Sequence, residues 1–344
     1  MNKNILVLGV GGHGWEVLSQ FIYNYQGPIS FFCQTVDYGG SGGVWYRLLE
    51  HNDFELNKKL HSDKIKPILP WGDLNKIITH FFVHKHGLLG GKILDFRSDD
   101  LNLHLKEIEI LAHLLGMEVS VEKSFINYFK IAFDYYRTYK NEIDYKTKKE
   151  FCLGYVWQDF LHWNLEKVPE LSLFYRQYNI LPQNLKLYFT YDDRQILEAK
   201  TTSGKLVKGE DKIDKSQLKL KPESFQIKNT NKSKQIFSED FLRALKESQV
   251  VIIPPGSISN WLPLINYEAV HSILKDKKLF WIVNPSTFVN EFESQKYLDF
   301  LHTKGLRPVL LGKANLLNEI IPINLLEGEK YDDKSASQAL LGLL

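Results

Sequence analysis

At 344 residues the chain has room for one large domain or two small ones, and its 44% hydrophobic and 24% charged residues exclude a disordered or low-complexity protein. A net charge of +2 excludes a strong global pull toward nucleic acid or an anionic membrane surface. Its two cysteines, Cys33 and Cys152, form no C-x-x-C pair, which argues against a cysteine zinc site.

The first element is the apolar run Ile5 to Leu8. It reads as a buried strand rather than the core of a leader peptide, and nothing in the chain approaches the ~20 apolar residues that span a bilayer. A cytoplasmic protein is therefore expected, with Cys33 and Cys152 as buried thiols, since both sit in apolar surroundings. The strand runs into "GVGGHG", in which Gly9, Gly11 and Gly14 fit the spacing G-x-G-x-x-G. Val17, Leu18, Phe21 and Ile22 follow at helical spacing, and "ISFFCQTVD" reads as a second strand ending at Asp37. Strand, glycine loop, helix and strand open a parallel, doubly wound sheet.

With Asp37 closing the second strand, the dinucleotide fingerprint is formally complete. The residues that follow argue for a different ligand. Gly39, Gly40, Ser41, Gly42 and Gly43 make a second glycine loop directly after the strand. Successive backbone N–H groups in such turns form nests for phosphate oxygens, and an NAD site needs only one nest. Two nests with an acidic residue between them suit a diphosphate with a bound metal ion. Further on, Gly72-Asp73 precedes a helical stretch, with Asp73 as the expected cap.

From Asp99 the pattern is helical, and "LNLHLKEIEILAHLLG" ends on Gly116, a helix stop. Residues 120–180 read as helices with broad apolar faces, in which Trp157 and Trp163 are expected in the core. His80, His84 and His86 lack the carboxylate partner of a zinc-protease motif and read as ordinary histidines. Asp192-Asp193 reads as a turn. Residues 200–235 hold ten lysines against four acidic residues in short alternating stretches, which predicts a small β-ribbon with a solvated charged face. Ser238 then caps a helix, and Val250 to Ile253 is a buried strand ending in Pro254-Pro255-Gly256-Ser257. "LFWIVNPST" and "RPVLLGKAN" repeat that design of strand and polar turn. Ligands of open parallel sheets gather at such carboxyl ends.

Taken in series, "GGHG", "DYGGSGG", "PWGDLNK", "VKGEDKI" and "PGSISNWLP" resemble the 2-phospho-L-lactate transferase (CofD-like) family, which includes the gluconeogenesis-factor (YvcK-like) branch. The family order is a strand and G-G-T-G, then D-D-G-G-S-S-G, P-G-D-L, G-E and P-G-S, and it is kept here over about residues 5 to 290. The chain is divergent. His13 replaces a threonine, Tyr38 the second aspartate and Val44 an arginine; Tyr155 follows Gly154 where the family has Gly-Asn; the P-G-S loop is one residue shorter, with Asn260 and Trp261 in its usual Thr-Ser region.

The resemblance implies a Rossmann-like, mostly parallel doubly wound α/β sheet with helical and small β insertions. The expected organisation is one domain over residues 1–325, with an insertion at 120–235 and a C-terminal tail at 326–344. It implies phosphate and nucleotide binding by Gly11, Gly12, Gly14, Gly39, Gly40, Ser41, Gly43, Asn75, Pro255, Gly256, Ser257 and Asn260, with Asp37 and Asp73 as catalytic residues and Asp37 holding Mg²⁺. The implied activity is transfer of a 2-phospholactyl-type group from a nucleoside diphosphate carrier to an acceptor alcohol, as in deazaflavin coenzyme biosynthesis. The alternative is a nucleotide-sugar-binding regulator of the gluconeogenesis-factor type, without turnover; an NAD-dependent oxidoreductase is the third reading. The expected partner is a GDP- or UDP-linked conjugate, with neither nucleic acid nor membrane, and the sequence allows a homodimer.

Overall fold

The computed structural model describes residues 2–33, 56, 58–60, 72–141, 151–164, 175, 176, 178, 180–189, 195–209, 212, 213, 220–229, 236–284, 294–314, 317, 319–326 and 330–344. The chain divides into two compact units: Met1–Val36 with Pro182–Leu344, and Asp37–Leu181. The first unit opens with β1 (Ile5–Leu8), α1 (Gly12–Asn24) and β2 (Ile29–Cys33). The second supplies α2 (Gly72–Leu94), α3 (Leu101–Leu115), α4 (Val119–Tyr139) and α5 (Leu153–Asn164). The first unit resumes with β3 (Leu185–Phe189), β4 (Gln195–Lys200), β5 (Leu206–Lys208), β6 (Gln226–Asn229), α6 (Glu239–Glu247) and β7 (Val250–Ile253). It continues through α7 (Leu262–Ile265), α8 (Glu268–Leu274), β8 (Lys278–Ile282), α9 (Ser294–Thr303) and β9 (Val309–Gly312). It ends in β10 (Ile321–Pro322), β11 (Leu325–Leu326), β12 (Lys330–Tyr331) and α10 (Asp333–Leu343).

Seven strands form one sheet in the order β10-β9-β8-β7-β1-β2-β3, and every neighbouring pair is parallel. The expected Rossmann-like α/β fold is therefore present. The strands carry near-continuous apolar runs because helices cover the sheet: all four residues of β1 and of β7 are buried. From β1 the chain lays β2 and β3 to one side, then returns to β1's other edge with β7 and builds outward through β8, β9 and β10. The strand order thus reverses between β1 and β7, whose register is Ile5↔Val250, Leu6↔Val251 and Val7↔Ile252. In open α/β sheets that reversal opens a crevice at the carboxyl ends.

Local chemistry sets the helices around this sheet. Ser238 caps α6 as expected, its Oγ accepting from the Phe241 N–H at 3.1 Å, and Phe241 packs on Phe32 of β2 at 4.0 Å between ring centroids. The C-terminal segment ends in α10, which lies against α1; Ser19 Oγ donates to Asp333 Oδ2 at 2.8 Å. Antiparallel β5-β4-β6 forms the small ribbon expected from residues 200–235. Lys208 and Lys228 flank the buried Glu198 there, at 3.1 and 2.8 Å.

In the second unit α3 begins at Asp100, whose side chain accepts from the Asn102 N–H at 2.8 Å, and ends at Gly116 with φ 58, the left-handed stop the sequence predicts. Its core is aromatic. Phe125 meets Trp157 at 4.7 Å, so Trp157 is a core residue as expected, and His104 lies among Phe96, Phe129, Phe133 and Phe151. Helix α2 breaks at Gly87, φ 71. Cys33 and Cys152 are both buried, as expected, and burial pushes the Cys152 thiol up to about 11. None of the described helices is long and apolar enough to cross a membrane.

Candidate functional site

The crevice between β1 and β7 is lined by two loops that the sequence singles out. On one side β1 turns at Gly9, φ 74, into α1, whose N-cap Gly11 offers no side chain to the first-turn N–H groups. No acidic side chain lies in that first turn. The helix therefore starts with no side-chain cap from Gly11 and with the positive end of its dipole at the carboxyl edge of the sheet, the arrangement that receives an anion.

On the other side β7 ends in Pro254-Pro255-Gly256-Ser257. Gly256 has φ 147, a conformation open only to glycine without strain. Ser257 Oγ accepts from the Ser259 N–H at 3.2 Å, and the two hydroxyls meet at 2.5 Å, which starts the short 3₁₀ turn Ile258–Asn260. Asn260 is buried.

The two loops touch through glycines. A Cβ on Gly9 would lie 2.4 Å from the Asn260 carbonyl oxygen, and one on Gly14 would lie 2.6 Å from the Pro255 carbonyl oxygen. Both positions are therefore held to glycine by the β7 loop itself. At Gly9 and at Gly14 alike the close neighbour is protein backbone of the β7 loop. Gly11, Gly12, Gly14, Pro255, Gly256, Ser257 and Asn260 are thus brought together in the first unit.

Two further groups join the ends of the strands: Asn284, in the polar turn that the sequence marks after "LFWIV" but without a role, and Tyr331, which sequence reasoning missed. Asn284, just past β8, donates from Nδ2 to the Gly256 carbonyl at 3.4 Å and ties the ends of β7 and β8. Tyr331 donates to the Val283 carbonyl at 2.5 Å and accepts from the Lys313 N–H at 3.0 Å, so it bridges the ends of β8 and β9. Burial pushes its phenol up to about 12, so it stays a neutral donor. A polar residue directly after a buried strand was the available signal for Asn284. Nothing local marks Tyr331.

The other expected site residues lie elsewhere. Asp37, Gly39, Gly40, Ser41 and Gly43 fall outside the described residues. Asp73 falls in the first turn of α2, which begins at Gly72, one step inside the cap position the sequence suggests. Asn75, in the same turn, is buried in the second unit against α5: a Cβ on Gly154 would lie 2.5 Å from its Oδ1. Among the described residues no group of three His, Cys, Asp or Glu side chains is placed to hold a metal ion. The Mg²⁺ expectation therefore rests on Asp37 and on the ligand's own phosphate oxygens.

Fold and crevice together define a Rossmann-like α/β protein with its glycine turn at the switch point. No protein-family model matches the chain, and no curated protein matches it. Its fold is similar to that of two solved structures of protein BH3568 from Bacillus halodurans. One superposes with a TM-score of 0.65 at 16% identity, covering 99% of this chain and 100% of that one. The other, described as a member of the UPF0052 family, gives 0.60 at 16% identity with the same coverage.

Proposed function

We propose that the protein binds a nucleoside diphosphate conjugate in the β1–β7 crevice and transfers its phosphorus-containing three-carbon acid group to an acceptor alcohol. The observation that carries the binding part is the contact of the uncapped α1 N-terminus with the Pro255-Gly256-Ser257 loop at the switch point. The α1 turn at Gly11–Gly14 would hold phosphate through backbone N–H groups, and Ser257 and Asn260 would fix the nucleotide or sugar. In the transfer, the acceptor hydroxyl oxygen forms the new bond to phosphorus and its proton passes to solvent. The nucleoside monophosphate leaves with the bridging oxygen. Such a displacement asks for positioning and charge neutralisation more than covalent chemistry. Mg²⁺, held by Asp37, would neutralise phosphate charge when bound.

One observation favours a second reading, a nucleotide-sugar-binding regulator without turnover. Tyr155, which stands where the resemblance calls for an amide, is buried at 5% exposure in α5.

A thermal-shift panel of guanosine, uridine and adenosine diphosphate conjugates and NAD, each with and without Mg²⁺, tests both. A ligand at 100 times its Kd stabilises by about 2.7 kcal/mol. Guanosine-selective stabilisation supports transfer, and uridine-sugar selectivity supports regulation. Stabilisation by NAD alone refutes both.

A further inference from the structure

The second unit contains a row of buried polar groups that the proposed function does not use. On α2, Asn75, Thr79, Phe82 and His86 recur at i, i+4, i+7 and i+11, so they share one face ahead of the break at Gly87. On α5, Gly154 and Gln158 are one turn apart and α5 packs on α2.

Side-chain contacts join the two rows from end to end. A Cβ on Gly154 would sit 2.5 Å from Asn75 Oδ1 and 2.2 Å from the Leu94 carbonyl oxygen, so only glycine lets the helices approach here. At the other end Gln158 Oε1 accepts from the Tyr175 hydroxyl at 3.0 Å. Tyr175 meets Phe82 edge-on at 6.4 Å, and Phe82 lies 5.7 Å from His86.

Along this seam Asn75 Oδ1, Thr79 Oγ1, Gln158 Nε2 and His86 Nε2 are buried with no hydrogen-bonding partner among the described residues. Asn75 and Gln158 are 2% and 0% exposed. Leaving four such groups dry carries a penalty comparable with the whole stability of a domain. The groups are an amide oxygen, a hydroxyl, an amide N–H donor and an imidazole. Burial and the neighbouring Lys85 charge lower the His86 pKa, so it adds no cation. With one imidazole and no carboxylate or thiolate the set is no metal site, and without formal charge it does not attract an anion; it matches small neutral hydroxylic molecules, of which water is the one always present.

We propose that the α2–α5 seam is a binding site for a file of ordered water molecules, which bridge Asn75, Thr79, Gln158 and His86. The inference concerns the second unit alone and stands or falls independently of the nucleotide reading.

Water ¹⁷O magnetic relaxation dispersion on the full chain tests it, because waters held in such a seam exchange slowly and contribute a measurable amplitude. Thr79→Val removes one hydroxyl at nearly constant shape. It should lower the long-lived-water amplitude by at least one molecule relative to the unmodified protein, and Thr79→Ser should restore it. Gln158→Met should give the same loss from the other helix, which keeps the test open should one variant fail to fold. An amplitude unchanged in folded Thr79→Val and folded Gln158→Met means a dry seam and overturns the proposal.

Discussion

Replacing Gly9 by alanine tests whether the β1 turn is held to glycine by the β7 loop. Two penalties add at this position. With φ at 74 the backbone is left-handed, which costs an L-residue about 1–2 kcal/mol. The new methyl would also lie 2.4 Å from the Asn260 carbonyl oxygen and 2.8 Å from Trp261 Cβ. Neither neighbour is the free end of a side chain, and Trp261 is 1% exposed, so relief requires the Ser257–Trp261 backbone to move. Overpacking of that kind adds about 1–3 kcal/mol. The expected loss is about 2–5 kcal/mol, read from urea unfolding as a lower midpoint at unchanged slope. Gly305→Ala separates the two penalties, since Gly305 has φ 76 but its added methyl meets nothing within 4 Å. That variant should lose only about 1–2 kcal/mol. If Gly9→Ala proves no worse than Gly305→Ala, the β1 turn does not press on the β7 loop and the crevice geometry argued above is wrong.

Four further outcomes are expected. Asp37→Asn should weaken the Mg²⁺-dependent part of nucleotide binding, measured by titration with and without Mg²⁺; an unchanged Mg²⁺ response removes Asp37 from the metal role. Gly154→Ala should destabilise the chain by about 1–3 kcal/mol, because its methyl would meet the Leu94 carbonyl oxygen at 2.2 Å, and an unfolding midpoint equal to the parent's would contradict that contact. His104 should make stability fall in acid. Burial lowers its pKa, against the opposing pull of the Ser98 carbonyl, Asp100 and Asp99, so below the ordinary histidine pKa of about 6.5 the unfolded chain takes up a proton the folded one refuses. His104→Phe should flatten that part of the urea-midpoint profile between pH 7.5 and 5.

Ser238→Ala should cost about 1 kcal/mol through loss of the α6 cap, seen in the same unfolding assay.

What could be read in the sequence was what is decided locally. Val250 to Ile253 reads as a buried strand because no polar residue interrupts it, and Gly116 and Ser238 read as helix ends because a left-handed stop and a hydroxyl cap have few substitutes. The pairing of β1 with β7 was not local: about 240 residues separate Ile5 from Val250, and only the assembled sheet puts the Gly9 turn beside Asn260. Asn284 and Tyr331 belong to the crevice for the same reason, since each acts on a strand end remote from it in sequence. Gly14 makes the physical point most directly. Its place in G-x-G-x-x-G states that something comes too close for a Cβ, and a phosphate oxygen or a carbonyl oxygen satisfies that statement equally well. In the fold the neighbour at 2.6 Å is the Pro255 carbonyl. A glycine spacing therefore encodes a close approach without naming what approaches, and the identity of the neighbour is fixed only where the strand order reverses.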